Sequence, residues 1–216
     1  MTTMTKPEIK KRKKESSIFN VRSMTIIGML SAVSFILMLF ELPLWFTPVF
    51  YKIDISELPV LIGSFALGPI AGVMIELIKN LANLAIQGTE TAAIGEASNF
   101  VIGCALVVPS AIIYNWRKTK KSAILGLCIG TITLVVIGSL LNAFILLPTY
   151  ASVYGMPLDS LVQMGTAVNP KITSLSTFVL FAVAPFNLIK GVLVSVLTIL
   201  LYKRISPIIK GHNSTR

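Results

Sequence analysis

The sequence predicts an all-α membrane protein, a bundle of six transmembrane helices in which the second helix is short. Three observations lead to this prediction: the composition is strongly apolar, the apolar residues form long runs, and the basic residues cluster beside those runs. Of the 216 residues, 54% are hydrophobic and only 13% are charged, whereas an average soluble domain carries roughly a quarter charged residues. So few polar groups do not cover a water-exposed surface, but a lipid-facing surface needs no such cover.

Six apolar segments are separated by polar or Pro-rich stretches. They comprise residues 24–40, 58–67, 70–86, 99–116, 123–147 and 175–202. A membrane-crossing helix needs about twenty apolar residues, so the second segment is too short to cross alone. We expect it to be a partial helix that its neighbours hold in place. The stretch 148–174 is semi-polar and is expected to be a long loop.

The pair Gly68-Pro69 separates the second segment from the third. Proline lacks a backbone donor and is best tolerated in the first turn of a new helix, so a break is expected here. With this break, fifteen of the 19 Lys and Arg residues lie on one side of the membrane, before 24, within 117–121 and after 202. One kinked helix over 58–86 would instead place the two termini on opposite sides.

Lys and Arg mark the cytoplasmic side of a membrane protein. We therefore expect both termini in the cytoplasm, with the chain as a multi-pass membrane protein. The expected divisions are a basic tail over 1–23, a single six-helix membrane domain over 24–204, and a second cytoplasmic tail over 205–216.

Several functional classes are disfavoured by the sequence. The net charge of +10 does not indicate nucleic-acid binding, because the basic residues flank apolar runs and do not alternate with aromatic ones. The sequence contains no GxxxxGK[ST] phosphate loop, no HExxH motif and no obvious Ser-His-Asp set. It also shows no obvious pair of intramembrane carboxylates. We therefore expect a non-enzymatic protein that does not itself hydrolyse ATP.

Polar residues inside the apolar segments are the candidates for function, because polar groups in a bilayer are costly. They are Glu76, Lys79, Asn80, Asn83, Glu96, Asn99, Asn142, Asn187 and Lys190. Glu76 and Lys79 are three residues apart and form either a self-neutralising ion pair or part of a site. Asn80 and Asn83 either line a cavity or form hydrogen bonds between helices. Glu96 and Asn99 either contact a ligand or cap the fourth helix.

Lys190 has no acidic residue within four positions and lies near the middle of the last segment. Such an ammonium group requires an acidic partner, a water-filled cavity or an acceptor-rich ligand. Asn187 lies one turn before it, and Asn142 lies towards the outer end of the preceding, antiparallel helix. Amides and one cation suit a neutral heterocycle with carbonyl and N–H groups, whereas a metal ion prefers carboxylates or imidazoles. No metal site is expected.

Gly28 and Ala32 are four residues apart in the first segment. Small residues at this spacing let another helix approach closely. That helix belongs either to a partner protein or to the same chain.

Four stretches of the sequence resemble a known family. They are KIDISELPVLIGSFALGPIAGVMIELIKN (52–80), IGEASNFVIG (94–103), LLNAFILLP (140–148) and FNLIKG (186–191). Together they resemble the riboflavin-binding S component of energy-coupling-factor (ECF) vitamin transporters. The resemblance covers most of the chain between about residues 24 and 204.

This resemblance implies a high-affinity riboflavin-binding subunit of the bacterial cytoplasmic membrane that works in vitamin uptake, with riboflavin as the transported ligand and no cofactor. It implies that Asn142, Asn187 and Lys190 hold the flavin, and that the loop 41–57 is the lid over it. It also implies that Gly28 and Ala32 dock on an EcfT-like membrane scaffold subunit, which two cytoplasmic ATPase subunits drive. An S component for another vitamin and a membrane assembly subunit without a flavin are the alternatives.

Overall fold

A computed structural model describes residues 20–48, 51–89 and 93–210 of the chain; for residues 203 and 205–210 it describes the backbone only. Nearly all regular structure in these ranges is helical. The elements are α1 Val21–Met38, β1 Leu42–Pro43, β2 Lys52–Ile53, α2 Glu57–Leu67, α3 Pro69–Gln87, α4 Ile94–Arg117, α5 Lys120–Leu141, a π-helical turn Asn142–Leu146, α6 Leu147–Val153, α7 Leu158–Val168, α8 Leu175–Phe178, a second π-helical turn Val179–Val183 and α9 Ala184–Lys210.

Five helical rods are long and apolar enough to cross a membrane, counted over the ranges that the structure describes. They are α1, α3, α4, the continuous rod Lys120–Val153, and the rod that begins at Leu175. The sixth apolar helix, α2, has 11 residues; at 1.5 Å per residue it spans only about half of the hydrocarbon core. The predicted fold class is therefore confirmed.

The short helix α2 lies at the centre of the bundle. It contacts α1, α3, α4 and α9, and its residues 57–65 are all buried. A helix that cannot reach both membrane surfaces leaves at least one end at membrane depth, and the burial of residues 57–65 surrounds the start of α2 with protein.

The break between α2 and α3 occurs at the predicted position. Gly68 adopts φ 110°, a conformation that side-chain-bearing residues rarely adopt. Pro69 follows as the first residue of α3, where its missing donor costs no intrahelical hydrogen bond. The glycine and proline thus divide the apolar run into two helices.

The prediction of a loop over 148–174 is wrong for most of its length. The fourth rod continues to Val153, and α7 covers Leu158–Val168. The predicted loop begins at Pro148, but this proline lies in the first turn of α6, just after a π-helical turn, and such turns accommodate an irregularity without ending a helix. In α7, Leu161, Val162 and Gly165 are buried on one face, a helical spacing that the sequence analysis missed.

The last helix also runs beyond its expected end, because α9 continues to Lys210. The expected tails 1–23 and 205–216 lie largely outside the described residues. Two apolar clusters stabilise the bundle. One packs α1–α5 and α9 together, and the other packs Tyr51 and Ile53 of the loop between α1 and α2 against α7 and the start of the last rod.

Candidate functional site

A cavity of about 230 Å³ opens at the end of the bundle where α3 ends and α4 begins. One wall is lined by four residues of the loop between α1 and α2: Glu41, Tyr51, Lys52 and Asp54. The basic connection between α4 and α5 lies at the other end of α4. By the distribution of positive charge, the cavity therefore opens on the external side.

The structure brings all six predicted ligand-contacting residues to this cavity. They are Asn83, Glu96, Asn99, Asn142, Asn187 and Lys190. The apolar part of the wall includes Met38, Ile102, Leu146 and Phe186. A largely preformed, partly apolar cavity with a few convergent polar groups is typical of small-molecule sites.

Asn142 is the first residue of the π-helical turn in the fourth rod. Its side-chain amide donates to the carbonyl of Gly138 at 2.7 Å, and its Oδ1 accepts from the Tyr51 hydroxyl at 2.6 Å. The Tyr51 ring also packs against Phe186, with ring centroids 5.4 Å apart. Burial, and then the nearby Tyr150, raise the pKa of Tyr51 well above its usual value, so this hydroxyl stays protonated and donates. The loop is thereby attached to the cavity wall.

Asn187 lies in the first turn of α9, soon after the second π-helical turn. It is buried, and its Nδ2 has no hydrogen-bond partner within the described part of the chain. Its amide lies against Gly138, where a Cβ atom would come within 2.7 Å of Nδ2. A buried amide donor without a partner is costly, and a ligand acceptor in the cavity would satisfy it.

Lys190 has an acidic partner that sequence reasoning missed. Its Nζ lies 2.9 Å from Oδ2 of Asp54 in the loop, and both side chains are 8% exposed. The other oxygen of Asp54 accepts from the amide of Ser56 at 2.8 Å. Burial alone would raise the pKa of Asp54, but the ammonium groups of Lys190 and then Lys79 outweigh it and hold the pKa well below its usual range.

Of the three alternatives for Lys190, the acidic partner is present, and the side chain also lines the cavity. The partner lies 136 positions away in sequence, so a local search for acids did not find it. The requirement that a buried cation has a buried anion, applied to the few acidic residues of the chain, would have pointed towards Asp54.

The expected contact between Glu76 and Lys79 is present, but it belongs to a larger group. The Lys79 ammonium lies 2.7 Å from Oε1 of Glu76 and 2.9 Å from Oε1 of Glu57, and all three side chains are almost completely buried. Two carboxyl groups therefore meet at one lysine within the membrane, and the expectation of no intramembrane carboxylate pair is wrong. Glu57 begins α2, and sequence reasoning had treated it as part of the external loop.

The two asparagines of α3 divide between the two predicted roles. Asn80 donates to Glu76 and accepts from the amide of Asn99 on α4 at 3.0 Å, so it joins two helices. Asn83 lines the cavity. Glu96 lies in the first turn of α4, where an acidic residue is favourable, and it accepts from Thr89 at 3.0 Å. Glu96 and Asn99 thus combine structural contacts with a place in the cavity wall.

Gly28 and Ala32 lie on the outer face of α1. Both are exposed, and a Cβ atom built on Gly28 would meet no other atom within 4 Å. For the described part of the chain, the alternative that this pair packs against another helix of the same chain is therefore wrong.

Comparison with known proteins identifies the family. Residues 22–202 match the family model described as the ECF transporter, substrate-specific component. The chain belongs to this family. Membership confirms the expectation of a transporter component rather than an enzyme, and of a multi-pass bacterial membrane protein.

Two relatives illustrate the similarity of this S component to curated proteins. The riboflavin transporter RibU of Staphylococcus aureus (strain TCH60) is 34% identical over 199 residues, 92% of this chain and 97% of the relative. The riboflavin transporter FmnP of Bacillus subtilis (strain 168) is 30% identical over 195 residues, 90% of this chain and 97% of the relative.

A solved structure has the same fold. It is the structure of the S component of a bacterial ECF transporter. The TM-score is 0.67 at 32% sequence identity, and the match covers 87% of this chain and 97% of the other.

Proposed function

We propose that this S component is the high-affinity riboflavin-binding subunit of an ECF-type transporter and mediates vitamin uptake. The observation that carries the proposal is the buried Asn187 amide, whose Nδ2 has no partner among the described residues, in the wall of an externally open cavity beside Asn142 and Lys190. The relatives named riboflavin transporters support the choice of vitamin.

The chemistry of the cavity suits a flavin ring. The isoalloxazine is planar with apolar faces, and one of its edges carries carbonyl acceptors and an N–H donor. Asn187 Nδ2 would donate to a ring carbonyl, and Asn142 Oδ1 would accept from the N–H, since a carbonyl oxygen has two lone pairs and the Tyr51 hydroxyl occupies one. Lys190 would donate to a second acceptor while Asp54 fixes its position.

The remaining polar wall suits the ribityl chain. Asn83, Glu96 and Asn99 lie where α3 ends and α4 begins, and they offer both donors and acceptors to hydroxyl groups. Phe186 and the Tyr51 ring supply flat apolar surface for the isoalloxazine faces. Riboflavin in this proposal is the transported ligand and not a cofactor.

A titration of the purified, ligand-free protein tests this proposal. Riboflavin is expected to lose its fluorescence on binding with one-to-one stoichiometry, and the variant Asn187→Leu is expected to bind it more weakly. Thiamine, biotin and folate serve as competitors. The proposal is supported if none of these vitamins displaces riboflavin. Tighter binding of another vitamin would instead show an S component of different specificity. Binding of no vitamin would favour the assembly subunit.

The proposal includes a membrane scaffold subunit and two cytoplasmic ATPase subunits as partners. Energy must come from elsewhere, since the sequence contains no phosphate-binding loop. The exposed face of α1 with Gly28 and Ala32 supports docking, because small residues permit close helix contact and this face has no neighbour within the described chain.

Docking is tested with bulky substitutions on that face. Gly28→Leu with Ala32→Leu is expected to abolish co-purification with the scaffold subunit and vitamin uptake, and to leave riboflavin affinity unchanged. Val33→Leu, also exposed on α1, is the matched control and is expected to leave both unchanged. Full co-purification of the double variant would remove this face from the interface.

A further inference from the structure

Five charged side chains form a buried cluster that borders the cavity. Two are ammonium groups and three are carboxyl groups: Lys79, Lys190, Asp54, Glu57 and Glu76. Their residues are at most 7% exposed. Ser56 joins the two halves, because Lys79 Nζ donates to its hydroxyl at 3.3 Å while its amide donates to Asp54.

The charges of this cluster do not balance. With every group ionised, three negative charges face two positive ones, which leaves one uncompensated negative charge within a membrane domain. No ion pair in the described ranges brings a further cation to the cluster. A buried charge without a partner is strongly unfavourable, and a carboxyl group in that position takes up a proton instead.

Two atoms show where the proton belongs. Oε2 of Glu57 and Oε2 of Glu76 are buried, and neither has a hydrogen-bond partner within the described part of the chain. The two carboxyl groups contact the same Lys79 ammonium, at 2.9 Å from Glu57 and 2.7 Å from Glu76, which brings them close to each other. Two carboxylates only accept hydrogen bonds, whereas a carboxylic acid also donates one.

We propose that the protein binds one proton between the carboxyl groups of Glu57 and Glu76. The proton sits on one Oε2 and is donated to the other. It neutralises the cluster, provides both orphan oxygens with a partner, and replaces the repulsion between two adjacent carboxylates with a hydrogen bond.

The surroundings of the pair keep the proton in place. On α4, Gly103 lies directly against the Glu76 carboxyl, so that a Cβ atom there would overlap Oε1, and Cys104 is the nearest titratable group on that helix. Asp54 faces the pair from the loop, Lys79 from α3 and Lys190 from α9. All three of these are themselves ion-paired.

The proton site goes beyond the proposed function and does not depend on the identity of the ligand. It lies between the cavity and the core. Asn80 joins Glu76 to Asn99 in the cavity wall, and Ser56 joins Lys79 to the loop that covers the cavity. A neutral cluster lets these contacts persist at membrane depth.

Infrared spectroscopy of the full chain in lipid nanodiscs tests the proposal, because an un-ionised carboxylic acid has a carbonyl stretch above the amide I band. Wild-type protein at pH 7 is expected to show this band, with a downward shift in D₂O. Glu57→Gln and Glu76→Gln are each expected to lose it, because removal of either carboxyl leaves two charges of each sign. Glu41→Gln, which alters the exposed ion pair with Lys52, is expected to keep it.

The result that overturns the proposal does not require the variants to fold. If wild-type protein shows no carboxylic-acid band at pH 7, the proton is not there. Survival of the band in either glutamine variant would likewise refute a shared proton. The thermal midpoint supplies a second readout. Glu76→Gln preserves the shape and neutrality of the protonated acid and is expected to match wild type, and a marked fall in the midpoint would contradict the proposal.

Discussion

Removing one member of the Asp54–Lys190 pair tests whether the loop positions Lys190. The charged atoms lie 2.9 Å apart and both side chains are 8% exposed, so solvent screens the pair little. Removal of one partner from a buried pair costs about 3–5 kcal/mol, because the other charge is left buried without a partner. Replacement of both partners leaves no such charge. We predict that Asp54→Asn and Lys190→Met each lower the free energy of unfolding by about 3–5 kcal/mol. The double variant is expected to recover most of that loss.

Equilibrium unfolding in mixed micelles, followed by circular dichroism, measures these free energies. Asparagine retains an oxygen that can accept from the Ser56 amide, so the single variant isolates the charge. Glu41→Gln is the matched control, because its pair with Lys52 is 3.1 Å long but largely exposed and such pairs contribute about 0–1 kcal/mol. Additive losses in the double variant would refute the reasoning, since the two side chains would then act independently.

Riboflavin affinity separates the two roles of Lys190. Loss of a hydrogen bond from a charged donor costs about 1.5–3 kcal/mol, or roughly a ten- to 150-fold rise in Kd. We expect this rise for Lys190→Ala, for Lys190→Met and also for the double variant, which therefore regains stability but not affinity. An unchanged Kd in all three would remove Lys190 from the binding site.

Three further predictions follow from the cavity. Gly138→Ala places a Cβ 2.7 Å from Asn187 Nδ2 and should weaken riboflavin binding in a fluorescence titration. Gly28→Ala has open space at its Cβ and should leave the affinity unchanged. Equal Kd values for the two variants would contradict the role of Asn187. FMN should bind more weakly than riboflavin, because its phosphate adds a charge of about −1.5 to −2. The cavity wall carries three carboxylates and only two lysines, both already ion-paired. Equal affinities at pH 7 would refute this. Because the pKa of Asp54 is lowered in the folded protein, its ion pair contributes stability in full above the pKa of an unfolded Asp, about 3.9, and this contribution is lost as the pH falls below that value. In thermal melts, an Asp54→Asn variant should therefore lose less stability than wild type over that acidic range. Identical losses would contradict the pairing.

The sequence predicts those features that depend on local chemistry. Apolar runs and the distribution of basic residues predict the spans and their orientation, and Gly68-Pro69 predicts the break between α2 and α3. The cost of polar groups in a bilayer predicts that Asn142, Asn187 and Lys190 are functional candidates. The structure gathers these three residues at one cavity.

Features that depend on long-range contacts or on irregular backbone are not predicted. The partners of Lys190 and Lys79 come from a loop and a helix start that are distant in sequence, namely Asp54 and Glu57. The two π-helical turns have no simple sequence signal apart from the prolines that follow them at 148 and 185. The helix continues past Pro148, where the sequence analysis predicts a loop.

The most direct test of the account is the ligand that accompanies the protein through purification. Cells supplied with riboflavin should yield a yellow detergent-purified protein with flavin absorbance bands, and denaturation should release about one riboflavin per chain. The double variant Asn187→Leu/Lys190→Ala, purified in parallel, should retain far less riboflavin. A colourless wild-type protein that also fails to quench added riboflavin fluorescence at micromolar concentration would contradict the flavin assignment and leave an S component for a different ligand.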